Sequence, residues 1–80
     1  MDAKPNGTMT LDVRPLRKWE RHCIFFSTFA ALKRGETFVL INDHNPLRLR
    51  SNLRNAVDDD FSWEYLQEGP EEWRILVGRT

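Results

Sequence analysis

Cysteine is almost absent from this chain. Cys23 is the single one in 80 residues, so no internal disulfide can staple the fold and stability has to come from burial. Net charge is absent too. Twelve Lys and Arg balance twelve Asp and Glu, which argues against the generic electrostatic attraction that brings basic proteins to nucleic acid. No apolar run approaches the ~18 residues that span a bilayer, and residues 1–9 lack the apolar stretch of a signal peptide. The expectation is therefore a soluble, cytoplasmic protein without a membrane partner. The four glycines form no phosphate-binding loop, and neither a Cys-x-x-Cys nor a His-Glu-x-x-His motif occurs. No paired carboxylates and no Ser/His/Asp set with a supporting local motif suggest catalysis.

What is present reads as one small domain over residues 10–80 behind a loose, disordered tail over 1–9, where Pro5, Asn6 and Gly7 stand in an almost wholly polar stretch. Leu11 and Val13 alternate with Asp12 and Arg14, a half-buried strand over 10–14 that Pro15 ends. From residue 18 the period lengthens: Phe25, Phe29 and Leu32 make one helical stripe to residue 34, with Cys23 beside it as a buried small hydrophobe. Gly35 is expected to cap that helix, and Trp19 to staple its start or else to contact a partner. A second strand, over 36–42, is apolar on both faces and so interior. Asn45 and Pro46 read as cap and first residue of a second helix over 46–57, with Leu49, Leu53, Ala56 and Val57 inward and Arg48, Arg50 and Arg54 on a solvated face. Asp58, Asp59 and Asp60 end it. Phe61, Trp63 and Tyr65 then alternate on one face of a strand over 61–66, Glu64 pointing to solvent. A turn at Gly69-Pro70 leads to a last strand over 72–78. The expected fold is an α/β (α+β) two-layer sandwich of order β-α-β-α-β-β, a four-stranded mixed sheet with both helices on one face.

Several segments together carry a resemblance: Leu11-Asp12-Val13-Arg14-Pro15-Leu16, Arg21-His22, Asn42-Asp43-His44-Asn45-Pro46-Leu47, Phe61-Ser62-Trp63-Glu64-Tyr65 and Glu68-Gly69-Pro70-Glu71-Glu72-Trp73. In this order and spacing the chain resembles the small bacterial domain-of-unknown-function family 2249. The resemblance implies the TusA-like (SirA-like) fold of sulfur-carrier proteins. Those carriers open their first helix with a Cys-Pro pair that holds a persulfide. Here Lys18-Trp19 stand in that place, and lysine cannot carry sulfur. The resemblance further implies an uncharacterised role, and association with redox or hemerythrin-like proteins as partners.

Chain order supplies the candidate site. His22 lies in the first turns of helix one and His44 just beyond strand two. In a right-handed β-α-β unit with parallel strands these places share one end of the sheet. Imidazole ligates transition metals or haem iron and moves protons near neutral pH. His22 and His44 are therefore candidate metal ligands, and Asp12, Arg14 and Asp43 candidates for a polar pocket beside them. The bland reading places His44 in a simple turn, with Asp43 and Asn45 bonding backbone amides, and leaves His22 on the surface. Three roles follow: a non-enzymatic accessory or binding module acting through a protein partner; a metal- or haem-linked redox accessory using His22 and His44; or a sulfur carrier using Cys23.

Overall fold

The computed structural model describes residues 9–80. Strand β1 (Met9–Asp12), helix α1 (Lys18–Ala30), strand β2 (Thr37–Asn42), helix α2 (Leu47–Val57), and strands β3 (Phe61–Glu68) and β4 (Trp73–Arg79) follow in the expected order. The strands lie side by side as β1-β2-β4-β3. β1 runs parallel to β2, and the other two pairings are antiparallel, so the sheet is mixed. Of the expected tail, residues 1–8 lie outside the described residues, whereas Met9 already pairs with Phe38 in β1.

One apolar cluster explains why both helices share a face. Phe25 and Phe29 of α1 and Leu49 and Leu53 of α2 meet Phe38 and Leu40 of β2, Ile75 and Val77 of β4, and Val13 beyond β1. Alternation along β3 adds Phe61, Trp63 and Tyr65, which pack against this cluster. Phe25 is its hub. Its ring stands edge-on to those of Phe26, Phe38 and Trp63, with centroids 5.1, 5.8 and 6.3 Å away. These are the separations at which aromatic quadrupoles attract.

Several local expectations need correction. Helix α1 stops at Ala30, a turn early, because the Glu36 carboxylate accepts the Lys33 amide at 2.7 Å and the Glu36 amide returns to the Lys33 carbonyl at 2.9 Å. Gly35 is left-handed (φ 87°), but within that turn and not as the helix cap. Cys23 is exposed. It lies two residues before Phe25, about 200° round the helix, which points it away from the core. Trp19 is 64% exposed and staples nothing. Ala56 is exposed as well. Pro46 precedes α2 as its flanking residue, and no side chain caps that helix, because Asn45 is engaged elsewhere.

The opposite face of the sheet carries no helix. There Asp12 and Arg74 flank Ile41 in register. Arg14 bonds both Asp12 and Glu72, and Glu72 also pairs with Arg74. Ile41 is only 5% exposed on this face, as expected where arginine stems lie over apolar surface.

Phe25→Ala should cost about 3–5 kcal/mol in urea melts, the loss typical of a large buried aromatic. Trp19→Ala should stay within about 0.5 kcal/mol, as exposed substitutions do. Equal losses from the two would show that α1 is rotated relative to this packing.

Candidate functional site

The parallel pairing of β1 with β2 brings the start of α1 and the end of β2 to the same edge of the molecule. Arg21, in the second turn of α1, ties them together. All five of its N–H donors are used. Nε donates to the Leu16 carbonyl at 2.9 Å and one Nη2 hydrogen to the Arg14 carbonyl at 2.9 Å. Nη1 donates to Asn42 Oδ1 at 2.8 Å and Asp43 Oδ1 at 3.0 Å, and Nη2 also reaches Asp43 Oδ2 at 3.2 Å. The loop before α1 and the loop after β2 are thus held by one planar group.

Asn42 is 2% exposed, the one buried polar residue of the described chain. Its Oδ1 accepts from Arg21 and from the Asp43 amide at 2.9 Å, so its burial carries no unmet acceptor. Asp43 in turn accepts from His44 Nδ1 at 2.7 Å. The loop between β2 and α2 has a second anchor on its far side, where the Tyr65 hydroxyl donates to Asn45 Oδ1 at 2.7 Å. His44 sits between the two anchors with its side chain 64% exposed. The turn expected around it exists, but Asn42, rather than Asp43 or Asn45, bonds its backbone.

His22 and His44 line one cavity of about 340 Å³, between the first turns of α1 and α2. Lys18, Arg21 and Arg48 share its wall, with Asn42 and Asn45 as neutral polar groups and Pro46, Leu47 and Leu49 as apolar ones. The His22 ring also packs on Phe26, centroids 4.7 Å apart. The other expected pocket residues are placed differently. Asp12 and Arg14 belong to the ion-paired group with Glu72 on the helix-free face, and Asp43 faces Arg21. They meet only through Arg21, which bonds the Arg14 carbonyl and Asp43 together. Cys23 lies on the outer side of α1 with Leu16, Trp19 and Ile24, lining a different and shallower cavity of about 310 Å³. Among the described residues, no group of three or more His, Cys, Asp or Glu side chains is placed to hold a metal ion. Sequence reasoning missed Arg21 and Asn42 as structural partners, and Lys18 and Arg48 as cavity wall. The available signal was a polar Asn ending an otherwise apolar strand, which requires a partner when buried.

Comparison with protein families gives a match over nearly the whole chain. The model of the uncharacterised conserved protein family DUF2249 matches residues 10–79. The chain belongs to the DUF2249 family. Comparisons with curated proteins and with solved structures gave no match. The DUF2249 match takes in every strand and helix described above except Met9 of β1, and includes Arg21 and the loop that carries His44. No helix among the described residues is long and apolar enough to cross a membrane.

The Arg21 guanidinium, and then the His44 ring, hold the Asp43 carboxyl below the usual carboxylate range. A carboxyl lowered on folding stabilises the native state above its unfolded value of about 3.9, and that contribution is lost as pH falls below it. The stability gap between wild type and Asp43→Asn should therefore be widest near neutral pH and narrow progressively as pH falls below about 4. Arg21→Met, which strips donors from Asn42 and Asp43, should cost about 1.5–3 kcal/mol at pH 7. Lysine at position 21 should recover little of that, since it cannot reproduce the planar fork. Urea melts of the three variants at pH 7 and pH 3 check both statements.

Proposed function

We propose that this DUF2249 domain is a non-enzymatic accessory module that works by docking a protein partner on the outer face of α1. The observation that carries this reading is the exposure of Trp19 and Ile24 there, at 64% and 38%. They flank the shallow cavity lined also by Leu16 and Cys23. An exposed tryptophan beside a shallow apolar depression is the composition of an interface centre, where aromatic residues carry most of the binding free energy. The chain's balanced charge suits a protein partner better than nucleic acid. The TusA-like fold implied by resemblance, a cytoplasmic setting and a redox or hemerythrin-like partner remain parts of this proposal.

A second reading is favoured by the shared cavity of His22 and His44. In that reading the two imidazoles would ligate a transition metal or a haem iron and serve a redox accessory. Two imidazoles fall short of the three or four protein ligands that usually hold zinc. Asp43 is already committed to Arg21, and Cys23 is on another face. Sulfur carriage by Cys23 draws on its exposure alone.

Photo-crosslinking inside the native cell tests the docking reading. A crosslinking residue at Trp19 or Ile24 should trap the same single protein. One placed at Ser51, on the exposed side of α2, should trap none. Identical products from all three positions, or none from Trp19 and Ile24, would contradict the proposal.

A further inference from the structure

The cavity between the two helix starts lies on a different part of α1 from Trp19 and does not depend on partner docking. We propose that it is a binding site for a small oxyanion-bearing molecule, a phosphate or carboxylate held between Lys18 and Arg48. The charge of the wall is the first support. Lys18, Arg21, His22, His44 and Arg48 all line the cavity, and among the described residues no carboxylate side chain does. The second support is that these charges are not equivalent. Arg21 spends its donors on the two loops, and its charge is balanced by Asp43. Lys18 and Arg48 have no ion-pair partner among the described residues, whereas Arg14, Arg21, Arg54 and Arg74 all have one. Two unbalanced cations on one concave wall favour an anion, and charge-assisted hydrogen bonds to an oxyanion are the strong kind.

The third support is rigidity. Arg21 fixes one side of the loop that bears His44, and the Tyr65–Asn45 bond fixes the other. The loop is therefore ordered before binding, and the ordering cost falls on the exposed Lys18 and Arg48 side chains alone. Asn45 is drawn away from α2 by that bond, and no side chain caps the first turn of α2 beside the cavity. Helix N-terminal amides left without a side-chain partner add to the attraction for an anion. Pro46, Leu47 and Leu49 complete the wall, so the ligand should carry a short apolar part next to its charged group. A volume of about 340 Å³ lies at the small end of ordinary ligand pockets.

Nuclear magnetic resonance titration with inorganic phosphate and, separately, with acetate tests this, at constant ionic strength maintained with chloride. Saturable shifts are expected in the backbone amides of residues 18–22 and 44–49 with at least one of the two anions. Comparing the two arms tells a phosphate site from a carboxylate site. The double variant Lys18→Gln/Arg48→Gln, both positions exposed, should bind about tenfold more weakly or worse. The control Lys33→Gln/Arg34→Gln, with the same change in net charge at a remote turn, should bind like wild type. Shifts that do not saturate, that spread over the surface, or that weaken equally in both variants would overturn the proposal. So would saturable binding of Zn²⁺ alone in that cavity without binding of either anion, which would give it to the metal reading.

Discussion

The guanidinium of Arg21 is the constraint on which this end of the molecule depends. It reaches two backbone carbonyls ahead of α1, and a buried amide and a carboxylate at the end of β2. An arginine can do this because its donors lie in one plane at fixed angles, whereas an ammonium would meet only some of them. Without it, Asn42 would be a buried polar side chain holding only its neighbour's amide, at a place where an unmet group costs about 1–3 kcal/mol. The loops flanking α1 and α2 therefore keep one arrangement, and the cavity between the helix starts exists as a consequence of that clamp.

The clamp also sorts the charges around it. Arg21 takes up Asp43, and Arg14 takes up Asp12 and Glu72. With Asp43 held by Arg21, and Asp12 and Glu72 on the helix-free face, no described carboxylate lines the cavity, and Lys18 and Arg48 stand unbalanced there. The outer face of α1 has the reverse character. It presents Trp19, Cys23 and Ile24, because the 3.6-residue repeat that buries Phe25 and Phe29 turns those three away from the core. The same helix thus supplies one wall of a polar pocket, the centre of the apolar core and an exposed apolar patch, each from a different side.

Most of the architecture was legible in the sequence because it follows from period. Two-residue alternation marked Phe61, Trp63 and Tyr65 as one face, and spacings of three and four marked Phe25, Phe29, Leu49 and Leu53 as another. The parallel crossover then put His22 and His44 at one end, and both do line one cavity. What escaped was decided by single side chains. Glu36 seizes the Lys33 amide and shortens α1, and Tyr65 takes Asn45 from its role as a helix cap. Such competition between a side chain and the backbone leaves no periodic trace. Cys23 and Trp19 were misplaced for another reason: an apolar residue one or two positions from a stripe is read as core, when the helix angle puts it outside. Arg21 carries no such signal, because a charged residue on a helix looks solvated until its partners, more than twenty positions on in the chain, are known.

The central claim is that Arg21 locks the loops that form the cavity wall while the core stands without it. Amide hydrogen exchange on wild type and Arg21→Met, at a pH and temperature where both stay folded, measures this most directly. Protection should fall at residues 14–17 and 42–47, whereas the amides of Phe38, Leu40, Ile75 and Val77 should lose only the amount by which global stability drops. A uniform loss across all of these amides, or unchanged protection at residues 42–47, would contradict it.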